Sequence, residues 1–382
     1  MTYKNSENKT ISLLLYHLRE IYGAERAALN LAKGFTLKGF NVDIVVIEKI
    51  NNKTLLEAVS SEFKVVELNV KDLRAATSTK QKLMALVKYL QQERPSALIS
   101  FCDTINLATW SKFLSGVSTR IVIGVQNAFL SDSTSMKGLK KYLRISLIRL
   151  SYPWADGVVA CSQGLAQDLA NFSGLPSKSI NFIYNPVITP NILKKAREPL
   201  DHPWFAGGEP PVILGVGRLH EQKDFSTLIK AFALLRKQKK SRLIILGEGH
   251  LRTQLEALVK ELSLQEDVSL PGYVDNPYAY MAKAAVFVLS SAWEGFGNVL
   301  AEAIAVGTPA VSTDCLSGPA EILANGKYGK LVSVKDAKAL SNAIIDTLDR
   351  SDRLADTEAL KLRGLEFSTN KIVEQYLAVM KI

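Results

Sequence analysis

Two doubly wound, Rossmann-like α/β domains facing a cleft are the architecture this sequence predicts, on three observations. Short β-branched runs alternate with amphipathic stretches along the whole chain, the rhythm of a parallel sheet wrapped by helices. That rhythm breaks once, in the polar, Pro- and Gly-containing stretch "NPVITPNILKKAREPLDHPWFAGGEPP" (185–211), and then restarts. With 382 residues, the chain is long enough for a separate core on each side of the break.

Taken in order, "ISLLLYH" (11–17) reads as a strand, and a helical pattern follows from Gly23 to Lys38. "VDIVVI", "FKVVEL", "ALISF", "RIVIGVQ" and "DGVVACS" continue as strands, with helical segments between several of them. Beyond the candidate linker, "VILGVG" (212–217), "RLIILG" (242–247), "DVSLPGY" (267–273), "AVFVLSS" (285–291) and "TPAVSTD" (308–314) are strands. "FSTLIKAFALLRKQ" and "LRTQLEALVKEL" are helices between them. The expected domains are 1–190 and 191–367, with 368–382 as a closing helix. Sheets of this kind bind ligands beyond the C-terminal ends of their strands, so functional residues are expected in the loops that follow strands.

Composition narrows the class. The chain is 47% apolar and 22% charged, which is ordinary for a globular protein. No stretch approaches the roughly 18–20 uninterrupted apolar residues of a spanning helix. The polar start, MTYKNSENKT, lacks an apolar signal core, and a cytoplasmic location is expected. Three cysteines, Cys102, Cys161 and Cys315, lack metal-ligand spacing and argue against a disulfide framework. The net charge of +10 is uneven: residues 1–195 carry +11 and the remainder −1. An acidic partner is therefore expected on the first half: a membrane surface, nucleic acid or a phosphorylated substrate. Nucleic acid is disfavoured, because no binding module or aromatic platform is recognisable.

Two loops carry candidate chemistry. "GVGRLHEQKD" (215–224) follows a strand, but a dinucleotide fingerprint would need glycine where His220 stands. It offers instead Arg218, a planar donor fork, and Lys223, a mobile point charge, a combination suited to a diphosphate. The second loop, "SAWEGFGNVLAEAI" (291–304), holds Glu294 and Glu302 about a glycine turn. Asn298 is the expected N-cap of a helix starting near Val299, whose free amides make an anion site. Eight residues along one helix span about 12 Å, beyond the roughly 5–9.5 Å of glycosidase carboxyl pairs. Only a loop placement of Glu294 would rescue hydrolysis. No further carboxylate or histidine stands at a metal-ligand spacing, so no metal is expected. Hydroxyl acceptors on either side of a phosphate fit the pair better.

"EGFGNVLAE" (294–302) resembles the signature of the retaining glycosyltransferases of family 4. "GRLHEQKD" is similar to that family's diphosphate loop, "GAERAALNLAKGF" (23–35) to its N-terminal glycine loop, and "GTPAVSTD" with "SGPAEIL" to the strand and turn after the signature. The four matches stand in the family's order across nearly the whole chain. The resemblance implies the glycosyltransferase B fold, with the acceptor domain first, the nucleotide-sugar domain second and the last helix crossing back. It implies transfer of a sugar from a UDP- or GDP-sugar to a glycan or lipid-linked acceptor, with no cofactor or metal. Glu294, Arg218 and Lys223 would be catalytic. Glu302 would hold the donor ribose, with Gly217, Gly295, Phe296, Gly297, Asn298 and Gly23 completing the donor side. Gln126, Asn127 and Glu25 would contact the acceptor or the sugar.

This chain departs from the family twice. Tyr22-Gly23 replaces the usual glycine pair of the first loop, which stiffens it. Gln126-Asn127 stands where many members carry a histidine, and an amide can hydrogen-bond a sugar but cannot take up a proton.

"SMKGLKKYLRISLIRLSYPWAD" (135–156) combines Lys137, Lys140, Lys141, Arg144 and Arg149 with apolar residues at helical spacing. This suits an element lying on anionic lipid, and so a peripheral location on the inner face of the membrane. A nucleotide-sugar epimerase or a phosphorylase of similar architecture is the rival enzyme, though a phosphorylase would need a pyridoxal-phosphate lysine and no matching site is recognisable. A catalytically dead sugar-binding relative is a further alternative.

Overall fold

The computed structural model describes residues 9–18, 23–68, 70, 75–102, 107–126, 139–349 and 353–382. It divides into two compact units, Met1–Pro186 with Thr369–Ile382, and Val187–Ser368. Each is a parallel sheet covered by helices, the α/β class expected.

In the first unit the strands are β1 (Thr10–Leu15), β2 (Asn41–Val46), β3 (Lys64–Glu67), β4 (Ala97–Ser100), β5 (Arg120–Val125), β6 (Gly157–Ala160) and β7 (Asn181–Phe182). They lie in the order β3-β2-β1-β4-β5-β6-β7, every pairing parallel. Leu13 of β1 stands opposite Ile44 and Ile99. Helices on both faces cover β1, β2, β4, β5 and β6, so these strands are nearly continuous apolar runs rather than alternating ones. The core joins Ile11, Leu13, Ile44 and Ile99 to Phe35 of the first helix, Gly23–Leu37, and to Ile372, Val373 and Tyr376 of the last, Thr369–Met380. Gly34 marks how closely these two helices approach: a Cβ there would lie 2.3 Å from Val373 Cγ2. Ser12, Tyr89 and Asp43 form a buried polar cluster in this unit. Ser12 Oγ and the Tyr89 hydroxyl are 2.7 Å apart, and that hydroxyl donates to Asp43 Oδ2 at 2.8 Å. Burial raises the Asp43 carboxyl above its ordinary range, more than its Tyr89 and Lys64 contacts lower it.

In the second unit β8 (Val212–Val216), β9 (Arg242–Leu246), β10 (Val268–Gly272), β11 (Val286–Leu289), β12 (Ala310–Thr313) and β13 (Lys330–Val332) form a sheet ordered β10-β9-β8-β11-β12-β13, again all parallel. Ile213, Leu243, Val286 and Val311 pack under Phe225, Leu228 and Phe232 of the helix Phe225–Arg236.

The stretch 185–211 is folded rather than a free linker. The amides of Val187 and Ile188 both donate to the Phe367 carbonyl at 3.0 Å. A short helix, Pro190–Lys195, follows, capped by Thr189 and opened by a proline whose missing N–H costs nothing there. Asn276 then donates to the Lys195 carbonyl at 2.9 Å and to Glu198 at 2.7 Å. Among the described residues no helix is long and apolar enough to cross a membrane.

Candidate functional site

In the second sheet, strand order reverses between β8 and β11, so the chain departs in opposite directions from two adjacent strands. The loops after those strands flank a crevice at their C-terminal ends, the usual ligand position of such sheets. They are the two loops marked by sequence, Gly217–Asp224 and Ser290–Gly297.

They are bonded to each other. Ala292 N donates to the Gln222 carbonyl at 2.8 Å, Gln222 Nε2 to the Trp293 carbonyl at 3.1 Å, and Ser290 Oγ to the Lys223 carbonyl at 2.7 Å. Side chains complete the join: Lys223 Nζ lies 2.5 Å from Glu294 Oε1, which also accepts from Ser291 Oγ at 2.7 Å. The pair is largely out of water, with side-chain exposures of 14% and 7%. Among the described residues, both of these bonds to the carboxylate fall on Oε1. Below it, Ser317 Oγ donates to the Glu294 carbonyl at 3.0 Å, and Thr313 Oγ1 to the Ser291 carbonyl at 2.6 Å. Asp224 then ends the first loop as the N-cap of the helix from Phe225, accepting from Thr227 N and Thr227 Oγ1.

Glu294 stands in the loop and Glu302 in the helix Asn298–Ala305, where it is 1% exposed. The expected cap is displaced by one residue. Gly297, at φ 99°, is the N-cap, and Asn298 is the first helical residue rather than the cap. The chain must turn through the left-handed region here, which glycine enters without the steric penalty that asparagine would meet. Gly318, at φ 92°, closes the loop from beneath: a Cβ there would stand 1.9 Å from the Phe296 carbonyl oxygen. Phe296 itself is buried edge-to-face on Phe367, their ring centroids 5.3 Å apart. Arg218 is exposed on the first loop, while its neighbour Leu219 is buried in the core.

The geometry thus joins Lys223 to Glu294, with Gly295, Phe296, Gly297, Asn298 and Glu302 on the adjoining turn and helix and Gly217 and Arg218 on the facing loop. Ser291, Gln222, Ser317 and Thr313 were not singled out from sequence. Their signal was only their place in the quoted loops and strand. Cys315 sits close by, and burial, followed by the Glu294 charge, pushes its thiol up to about 12, so it is no nucleophile at neutral pH.

The remaining candidates lie in the first unit. Gly23 opens the first helix, Glu25 is in its first turn with Oε1 3.7 Å from His17 Nδ1, and Gln126 is buried just past β5. Asn127, Tyr22, Lys137 and the side chains of Lys140 and Lys141 lie outside the described residues.

Two family models match the chain: "Glycosyltransferase Family 4" over residues 21–189 and "Glycosyl transferases group 1" over residues 197–359. The chain belongs to glycosyltransferase family 4. It is 38% identical, over 60% of its own length and 61% of the relative's, to the N-acetylgalactosamine-N,N'-diacetylbacillosaminyl-diphospho-undecaprenol 4-alpha-N-acetylgalactosaminyltransferase of Campylobacter jejuni. The match thus spans about three fifths of that relative. A second Campylobacter jejuni enzyme, which extends a GalNAc-containing diNAcBac-PP-undecaprenol with alpha-1,4-N-acetyl-D-galactosamine, is 27% identical over 94% of both chains. Among solved structures, Anabaena HepE with UDP and glucose is similar in fold, with a TM-score of 0.77 over 97% of this chain and 99% of HepE at 19% identity. This family 4 chain therefore has the glycosyltransferase B fold.

Proposed function

We propose that this chain transfers a sugar from a UDP- or GDP-sugar to a glycan acceptor carried on a lipid diphosphate, retaining the anomeric configuration and needing no metal for the transfer. The observation that carries the reading is the Lys223–Glu294 pair at the crevice between β8 and β11, beside the helix start at Gly297. The lipid-linked acceptor is supported by the names of the two Campylobacter jejuni relatives, both of which act on undecaprenol diphosphates.

In this reading the donor diphosphate lies against Lys223, Arg218 and the start of the helix that follows Gly297. Glu302 takes the ribose hydroxyls, and Glu294 presents Oε2 to a hydroxyl of the sugar while Oε1 holds the lysine. The bond from the anomeric carbon to the phosphate oxygen breaks, and its electron pair stays on that oxygen. The acceptor oxygen bonds to the same face of the anomeric carbon and its proton passes to the departing phosphate. Charge grows on the diphosphate during this step, and cations already oriented toward it stabilise the transition state. Neither glutamate moves a proton. Gln126, Asn127 and Glu25 are the proposed acceptor and sugar side, and Gly23 is assigned to the donor.

The chain is proposed to work on the cytoplasmic face of a membrane. Support comes from the helix Leu139–Ser151 and the turn after it, which bury Ile148 yet expose Tyr142, Leu143, Leu150 and Trp154. Sedimentation with anionic vesicles at low salt tests this, and absence of binding refutes it.

For the reaction, UDP or GDP release is measured from candidate donors with and without lipid-linked acceptor. Arg218→Ala and Lys223→Ala are each expected to lower turnover by roughly 10²–10³, the scale of one oriented donor. Near-normal rates in either variant overturn the assignment. Conversion of the donor without any acceptor would favour an epimerase instead.

A further inference from the structure

Outside the residues assigned to transfer, His220 and Glu221 of the Arg218 loop and His250 of the loop after β9 each bring one ligand-type atom to within 4.8 Å of the others. Glu221 lies between the two rings. Its Oε2 is 3.1 Å from His220 Nδ1 and its Oε1 is 3.0 Å from His250 Nε2. The two imidazoles meet edge-to-face with centroids 4.9 Å apart.

The histidines belong to different loops, after β8 and after β9, and the backbone holds those loops together. Leu219 N donates to the Glu248 carbonyl at 2.8 Å, and Leu251 N to the Leu219 carbonyl at 3.1 Å. The bonded residues flank each histidine in sequence, so the two rings are brought together by main chain. His220 N also donates to the Arg218 carbonyl at 2.8 Å, which tightens the turn that presents its ring.

We propose that His220, Glu221 and His250 form a binding site for a divalent first-row cation of the zinc class. Imidazole nitrogen and carboxylate oxygen bind such an ion at about 2.0–2.2 Å, which puts ligand atoms around a tetrahedral centre roughly 3.4 Å apart. Each imidazole nitrogen already lies near that separation from one oxygen of Glu221, 3.1 Å from Oε2 for His220 and 3.0 Å from Oε1 for His250. Gathering both nitrogens and one Glu221 oxygen around a single ion takes rotation of side chains that are partly or fully exposed. Two nitrogen donors select zinc, copper or nickel over magnesium and calcium, which require oxygen. Three protein ligands leave a fourth position for water or an incoming anion. An ion held there ties the β8 loop to the β9 loop and places positive charge beside Arg218. Its value to diphosphate binding rests on the proposed function, whereas the site itself does not.

Isothermal titration of tag-free full-length protein with zinc chloride tests the site. Wild type is compared with His220→Ala, His250→Ala and Glu221→Gln, each checked for native circular dichroism. One ion per chain is expected, with affinity weakened at least about tenfold in each variant and no heat on magnesium addition. Zinc should also raise the unfolding midpoint of wild type and leave that of His250→Ala unmoved, a readout independent of transfer. Zinc binding that survives both histidine substitutions, or no saturable binding to wild type, overturns the proposal. Loss of glycosyl transfer with zinc binding intact would fault the functional reading and leave this site standing.

Discussion

Replacing Glu294 by glutamine tests whether the pair with Lys223 holds the two loops together. The substitution keeps shape, and its amide oxygen can still accept from Ser291 Oγ, which now bonds the carboxylate at 2.7 Å. What disappears is the counter-charge of an ammonium 2.5 Å away that is only 14% exposed. Removing one partner of a fully buried pair costs about 3–5 kcal/mol. Lys223 keeps a little access to water, so a loss of about 2–3 kcal/mol is expected for Glu294→Gln. Lys223→Met strands the carboxylate in the same way and should cost a similar amount. The double variant has no charge left to strand, so its loss should fall short of the sum by about 1.5–3 kcal/mol, the upper part of the range for directly contacting residues. Urea unfolding followed by tryptophan fluorescence, to which Trp293 beside Glu294 contributes, measures all four proteins, with equal slopes showing that only stability has changed. Losses that add to within about 0.5 kcal/mol would mean the two groups act independently, and the reasoning would fail.

Gly318→Ala should destabilise by about 2–4 kcal/mol, because its Cβ meets the Phe296 carbonyl at a backbone angle that alanine avoids; an unfolding midpoint equal to wild type would contradict this. Asp43 is raised in the folded state, so the native chain binds its proton more tightly than the unfolded one does. Its contribution to stability is therefore full below the unfolded value near 3.8 and is lost as pH rises through the folded value. Asp43→Asn should accordingly gain stability relative to wild type as pH increases across that window, and a difference independent of pH in denaturant titrations would refute it. Cys315, its thiol pushed up to about 12, should resist iodoacetamide at pH 8 until denaturant is added, whereas the half-buried Cys102 reacts earlier. Peptide mass mapping that finds Cys315 alkylated at the rate of a free thiol would show that the burial is wrong.

Most of the architecture was legible because strands covered on both faces must be largely apolar, and β1, β2, β4–β6, β8, β9 and β11 are such runs. β7 and β13 escaped notice, since edge strands of two and three residues leave almost no pattern. The stretch from 185 read as a linker because its composition is that of one. The amides of Val187 and Ile188, bonded to Phe367 about 180 residues on, carry no local signal of that bond. At the site, residue types and loop positions were readable, but their partnerships were not. Lys223 and Glu294 are 71 residues apart, and only the adjacency of β8 and β11 makes them a pair. Asn298 was the natural choice of cap by residue preference. That preference yields to Gly297 because the turn demands a positive φ, a property of the backbone path rather than of the helix. His220 and His250 looked unrelated for the same reason, being brought together only by the pairing of β8 with β9.

The helix Thr369–Met380, packed into the first unit beside Phe35, sets the order in which this polypeptide matures on the ribosome. Domains ordinarily finish in the order they are made. Here the first unit is missing Ile372, Val373, Tyr376 and Met380 from its interior until residues made after the whole second unit have emerged. The second unit, Val187–Ser368, is translated in one piece and can close first. A nascent chain stopped short of residue 369 would carry a finished second unit behind an open first one, its bare apolar surface a natural target for chaperones.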